Sequence, residues 1–250
     1  MTSPIDQASR LLVDRVGGYL RNTVRVPRLT CTTCTTPVTD YHRCLRCMRH
    51  QGTGMRLADV VAPVAYGGHN AQSARLLHGY KTSFAAAAAD DRRATVLLLL
   101  FVALGRHLGC FAAADGPVDS YAVIPSTRGR ADHPLPELVE RLGLRLTPVG
   151  ADATAEQPTD LRRVAGGRFA FAPDVDLRDR HVLVIDDTWT TGGRVQSMAN
   201  SLKDAGARRV TALILARWLD TEWTPTAAFL KQNPHRDFDP TVCPLSGSRC

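Results

Sequence analysis

His181-Val182-Leu183-Val184-Ile185-Asp186-Asp187-Thr188-Trp189-Thr190-Thr191-Gly192-Gly193 is the stretch whose reading decides the fold. Val182, Leu183, Val184 and Ile185 are consecutive apolar residues, most of them β-branched, and predict a short strand buried on both faces. Two adjacent carboxylates follow, then a small hydroxyl-rich loop closed by two glycines. Beyond the loop, Val195, Met198, Ala199, Leu202 and Ala205 recur at helical spacing, and Gly206 supplies a C-terminal stop. The order is therefore strand, acidic tip, glycine-rich loop, helix. In an open parallel sheet that junction lies at the carboxyl ends of the strands, where ligands bind.

The chemistry follows from the residue types. Backbone N–H groups of Thr190, Thr191, Gly192 and Gly193 at a helix start predict a phosphate site, which a side chain at position 192 is expected to crowd. Asp186 and Asp187 are poorly placed for an anion but suited to accept hydrogen bonds from vicinal hydroxyls of a sugar. A diol beside a terminal phosphate points to a ribose 5-phosphate. The plain alternative is an ordinary strand-to-helix turn whose acids cap the helix. The run resembles the phosphoribosyl pyrophosphate (PRPP) motif of type I phosphoribosyltransferases. That resemblance implies that Asp186 and Asp187 hold the ribose hydroxyls at the catalytic centre, while Thr188, Thr190, Thr191, Gly192 and Gly193 hold the 5-phosphate. Two departures stand out. Purine-salvage members usually carry a further carboxylate where this chain has Thr190, which argues against purine transfer. Many relatives have Thr or Ser where this chain has Arg194, whose guanidinium can take over a phosphate contact or point to solvent.

With 250 residues the chain has room for one domain of about 150–200 residues plus a small module. The net charge of +7 comes almost entirely from arginine and suits anionic ligands such as phosphates or nucleic acid, or simply a basic surface. The N-terminus is polar, carries Asp6 early and has no apolar core of a signal peptide, so a cytoplasmic location is expected. Residues 96–104 are apolar but about half the length needed to span a bilayer, which predicts a buried helix and no membrane insertion. In that compartment seven cysteines, four of them in two CxxC pairs, point to metal and not to disulfides.

Those four are Cys31, Cys34, Cys44 and Cys47. Each CxxC turn brings two thiolates to one tetrahedral ion, and the short span between the pairs returns the chain as a hairpin. Four soft ligands favour zinc, in a closed and therefore structural site. Redox-active or simply buried CxxC pairs are the alternative. His42 and His50 lie near enough in sequence to substitute. Cys110, Cys243 and Cys250 have no partner spacing and receive no role.

Taken in order, residues 4–20 predict a short helix that packs on the next module or docks a partner. Residues 60–66 predict a strand, and residues 85–108 a long helix stopped at Gly109. Residues 119–125 predict a second buried strand, whose tip at Ser126, Thr127 and Arg128 reads as a pyrophosphate cradle or, equally well, as an exposed basic turn. A helix over 135–142, a polar flap over 147–160, a strand over 210–215 and a loosely ordered tail over 220–250 complete the reading.

A Cys₄ knuckle ahead of a PRPP-like motif resembles the ComF family, the phosphoribosyltransferase-like proteins associated with competence and DNA uptake. The matching residues are Cys31, Cys34, Cys44 and Cys47; Tyr66-Gly67 running to Tyr80-Lys81; Ile124-Pro125; Gln157, Arg163 and Phe169-Ala170-Phe171; and Asp186 to Gly193. The resemblance implies an α/β fold: a mostly parallel sheet flanked by helices, preceded by a small Cys₄ zinc module. The expected divisions are an N-terminal helix (1–24), the zinc module (25–58), a phosphoribosyltransferase-like domain (59–219) and the tail (220–250). Structural zinc, and Mg²⁺ accompanying PRPP, are the implied metals. Two functions follow as expectations. One is phosphoribosyl transfer with release of pyrophosphate. The other is a non-catalytic module that senses PRPP or a nucleotide and acts through single-stranded DNA or DNA-uptake proteins.

Overall fold

The computed structural model describes residues 2–68, 71–81, 86–126, 133–233 and 236–249. In chain order its elements are α1 (Pro4–Val16), β1 (Arg21–Asn22), α2 (Leu45–Gln51), β2 (Val60–Gly68), α3 (Gln72–Gly79), α4 (Ala86–Asp115), β3 (Ser120–Val123), α5 (Leu135–Glu140), β4 (Thr147–Pro148), β5 (Ala151–Ala153), β6 (Phe169–Phe171), β7 (His181–Trp189), α6 (Gly193–Asp204), β8 (Arg209–Leu219) and α7 (Thr224–Gln232). This is a mixed α/β protein. Its main sheet runs β1-β2-β8-β7-β3-β4, parallel throughout except for the antiparallel edge strand β1. A separate two-stranded antiparallel arm joins β5 to β6.

The strand order explains where a ligand can sit. From β3 the chain steps outward to β4, then returns to the other side of β3 to lay down β7 and β8. The direction reverses between β3 and β7, so their carboxyl ends flank a topological switch point, the place where open α/β sheets form their crevice.

Alternating side chains in β7 fill two cores. Leu183 and Ile185 join a cluster with α1, α4 and α5 through Leu12, Leu99, Leu100 and Leu138. Val182 and Val184 face the other way, onto Val195, Met198 and Leu202 of α6. Each such side chain, fully buried, contributes about 1.5–3 kcal/mol. The helix α4 is long and apolar enough by length and composition to cross a membrane. Here it is a core helix, with Val96, Leu99, Leu100, Val102, Leu104 and Phe111 buried.

Three sequence expectations are corrected. The strand β7 does not stop at Ile185 but continues through both acids to Trp189, because the long partner β8 keeps pairing with it as far as Trp189 opposite Arg217. The helix α4 passes Gly109 and ends at Asp115, followed by Gly116 in the left-handed region at φ 88°. Glycine inside this helix has a packing reason at Gly105, where an added Cβ would lie 2.6 Å from the Ile5 Cδ1 of α1. The stretch read as a loose tail holds α7 and buries Phe229 and Phe238, the latter in the core beside α4. Its proline and threonine content hid two anchoring aromatics.

Candidate functional site

Asp186 and Asp187 belong to the second half of β7 and are almost completely buried, at 2% and 0% exposure. Two adjacent carboxylates at that depth are tolerated only if paired. Asp187 Oδ2 accepts from the Tyr80 hydroxyl and pairs with Lys81 Nζ, while His133 Nε2 lies 3.7 Å away. Its Oδ1 accepts from the Thr188 hydroxyl at 2.6 Å. Asp186 accepts from the Asp187 backbone N–H at 3.0 Å and pairs with Arg194 Nη2 at 3.3 Å. The neighbours treat the two acids differently. Burial pushes the Asp186 carboxyl up, to about 6, with Arg194 opposing and Asp187 reinforcing. Burial pushes Asp187 up too, but the charge and hydrogen bond of Lys81, with Thr188 and Tyr80, overcome it and hold the group at about 2.

The loop that follows is shorter and tighter than the sequence suggests. Gly192 caps α6 in the left-handed conformation, φ 84°, and an added Cβ would fall 2.1 Å from the Trp189 ring. At Gly193 an added Cβ would fall 2.4 Å from the Arg162 carbonyl oxygen. The protein's own packing therefore demands glycine at both positions, apart from any ligand. The turn at 161–163 covers this corner. Thr191 donates to the Arg162 carbonyl at 3.2 Å, and Ala165 donates to Ser197 at 2.9 Å. Behind that turn Arg168 is fully buried, bonded to Gln157 Oε1 at 2.8 Å and to the Leu161 carbonyl at 3.2 Å. Its Nη2 has no partner among the described residues. Burial, reinforced by the charge of Arg194, lowers the Arg168 pKa to about 10.

The sequence-predicted residues thus divide. Asp186, Asp187, Thr188, Thr190, Thr191, Gly192 and Gly193 are contiguous at the end of β7 and the start of α6. Ser126 follows β3, the neighbouring strand, and just past that strand the Ile124 N–H bonds the Ile185 carbonyl at 3.2 Å. Thr127 and Arg128 lie outside the described residues. Lys81, which pairs with Asp187, and Tyr80 and His133, which also approach it, had no role in the chemical reading of the sequence. Only the family resemblance included Tyr80-Lys81.

The second candidate centre lies on the α6 side of the sheet. The four thiols of Cys31, Cys34, Cys44 and Cys47 all lie within 4.8 Å of one another, with Cys34 and Cys44 at 3.8 Å. Two thiolates on one tetrahedral zinc at about 2.3 Å are separated by about 3.8 Å. The local chain explains the convergence. Cys31 N–H bonds the Thr36 carbonyl at 2.8 Å, Thr35 takes φ 58°, and Thr32 N–H reaches back to the His42 carbonyl at 2.9 Å. Hydrogen bonds among the sulfurs pull the Cys34 thiol down and push Cys44 and Cys47 up, since four neighbouring thiols cannot all ionise unaided. A divalent cation removes that conflict, so the donor set fits a structural metal. His42 and His50 are outside the cluster.

The two centres are connected. Arg217 near the end of β8 donates to Thr36 Oγ1 at 2.8 Å and to the carbonyls of Trp189 and Thr190 at 2.8 and 2.9 Å. Thr36 Oγ1 in turn lies 3.2 Å from Cys34 Sγ. On α6, Gln196 accepts from Ala58 N–H and Asn200 from Arg56 N–H, at 2.8 and 2.9 Å, so the segment leaving the cysteine module is sewn to the helix that begins at Gly193.

No protein-family model matches the chain, and no curated protein matches it. Among solved structures it is similar to a hypoxanthine phosphoribosyltransferase from Staphylococcus aureus, with 14% identity and a TM-score of 0.29, covering 50% of this chain and 76% of that one. At that level the likeness by itself decides neither fold nor function.

Proposed function

We propose that the crevice at the ends of β3 and β7 binds PRPP or a related 5-phosphorylated ribosyl ligand. One observation carries the reading: two buried acids lie near the carboxyl end of the central strand of a parallel sheet, beside its switch point, and a short loop leads from that strand to a helix start with no side-chain cap. In it, Asp186 and Asp187 meet the ribose hydroxyls, Thr188 and the Thr190–Gly193 backbone hold the 5-phosphate, and Ser126, Thr127 and Arg128 receive pyrophosphate with its Mg²⁺. The buried and incompletely bonded Arg168, beside Arg194, supports an anionic ligand at this corner. The Cys₄ cluster holds zinc as a structural ion and acts on the site through Thr36 and Arg217, and through the segment bonded to α6.

If the protein is catalytic, the reaction is phosphoribosyl transfer with loss of pyrophosphate, the positive charge at the anomeric carbon being met by nearby anions. A second reading is favoured by the ion pairs themselves. Lys81 and Arg194 already occupy the two acids, so a ligand must displace them, as suits a PRPP- or nucleotide-sensing module. The ComF resemblance would then place such a module in the cytoplasm, in DNA uptake, acting through single-stranded DNA or a protein partner. The test is pyrophosphate release from PRPP and Mg²⁺, screened over nucleobases, amines and nucleic acid. Release dependent on one acceptor supports transfer. Tight PRPP binding without release supports sensing, and no binding removes both.

A further inference from the structure

His107 and Cys110 sit three residues apart on one face of α4, and Cys243 is brought to them by the C-terminal segment. A ring nitrogen of His107 and the two sulfurs lie within 4.8 Å of one another, and His107 and Cys243 are buried, at 2% and 3% exposure. The segment is held in place from several directions. Phe238 is buried against the α4 core, Asn22 and Asp239 exchange two hydrogen bonds of 2.8 Å, and Arg25 Nε donates to the Pro244 carbonyl at 2.6 Å.

The turn that presents Cys243 repeats the turn that presents Cys31. In the first, Cys31 N–H bonds the Thr36 carbonyl at 2.8 Å, Thr35 N–H bonds the Cys31 carbonyl at 2.9 Å, Thr35 has φ 58°, and Thr30 bridges Pro37. In the second, Cys243 N–H bonds the Ser248 carbonyl at 2.8 Å, Gly247 N–H bonds the Cys243 carbonyl at 2.8 Å, Gly247 has φ 76°, and Val242 bridges Arg249. The offsets agree residue for residue, with Ser246 standing where the first turn has Cys34. In both places a second pair of ligand residues comes from a helix at a spacing of three: Cys44 and Cys47 at α2, His107 and Cys110 in α4.

We propose that His107, Cys110 and Cys243 form a second metal site, for zinc or a similarly soft divalent cation, which staples the C-terminal segment to α4. The donor types suit it: two thiolates and an imidazole are a zinc set, and closing the ligand atoms from within 4.8 Å to the roughly 3.5–3.8 Å of a tetrahedral site takes side-chain motion only. His107 Nε2 lies 3.1 Å from the Pro240 carbonyl, so a backbone acceptor orients the ring, as is usual for metal-binding imidazoles. Three protein ligands leave a fourth position. Cys250, next in the chain after Arg249, lies outside the described residues, and the site does not require it.

The experiment is native mass spectrometry and metal analysis of the full chain purified under reductant. Two zinc ions per chain are expected in wild type, one after Cys34→Ser and one after Cys243→Ser or Cys110→Ser. With cobalt, the thiolate charge-transfer band of the second equivalent should be lost in Cys110→Ser, while the first is kept. Wild type saturating at one ion per chain overturns the proposal whatever the variants do. So does a Cys110–Cys243 disulfide found by non-reducing peptide mapping in protein that binds a single ion.

Discussion

The cysteine cluster and the acid pair meet the same problem, like groups crowded into a buried place, and solve it in opposite ways. The four thiols of Cys31, Cys34, Cys44 and Cys47 converge on one another in the arrangement of a metal site. Asp186 and Asp187 are supplied internally, by Arg194 and by Lys81 with Tyr80 and Thr188. The first arrangement has the donor set of a structural metal site. The second is complete as a fold, and a ligand must compete with the protein's own cations. A metal is thus expected to behave here as part of the structure, and a ribosyl phosphate as an exchangeable visitor.

The largest effect expected is metal removal. Chelation, or Cys34→Ser, should unfold residues 25–58, since apparent binding energies of structural zinc reach about 10–16 kcal/mol in small modules. Through Thr36 and Arg217 it should also loosen the loop at Trp189 and Thr190, read as faster amide exchange there. If exchange at 188–193 is unaffected while 25–58 unfolds, the two centres are independent.

Next comes Asp187→Asn, which leaves the largely buried Lys81 without its counter-charge and should cost about 3–5 kcal/mol in denaturant unfolding. The pH dependence has a defined sign. Asp187 is held at about 2, below its ordinary 3.8, so its stabilisation is present above about pH 4 and lost as pH falls toward 2. A Gly192→Ala change should cost about 1–3 kcal/mol in backbone strain and shift the Trp189 fluorescence as the ring is displaced. Ligand-free protein must show the loss if packing is its cause.

The smallest effect is Asp186→Asn, expected within about 1 kcal/mol of wild type at pH 7, where relief of a buried charge is offset by loss of the Arg194 pair. Asp186 binds its proton more tightly in the fold than unfolded. Its contribution to stability is therefore full below about pH 4 and lost as pH rises through about 6. Stability curves of wild type and variant should diverge in that window and run parallel above it.

Much of this contrast was legible in the sequence, and the reason is distance along the chain. The cysteine ligands fall within 17 residues and their spacing announces them, as the apolar run ahead of Asp186 announces a buried strand. Lys81 and Tyr80 reach Asp187 across more than a hundred residues, and Cys243 reaches His107 across a similar gap, so no local pattern could pair them. The reach of β7 to Trp189 was hidden for a related reason. Adjacent acids are poor strand formers on their own, and it is ladder pairing with β8 that carries them into the sheet. The glycines carry two meanings in the sequence, because a ligand cradle and a tight turn under an indole ask for the same residue.

The central claim is that the end of β7 and the start of α6 bind a phosphorylated ribose. Its most direct test is calorimetric titration of PRPP with Mg²⁺ into zinc-loaded wild type and into Asp186→Asn, the acid substitution expected to spare the fold. Saturable binding in wild type, weakened roughly ten-fold or more in the variant as hydrogen bonds to the diol are lost, is the predicted result. No binding in wild type, or equal affinity in both proteins, would contradict it.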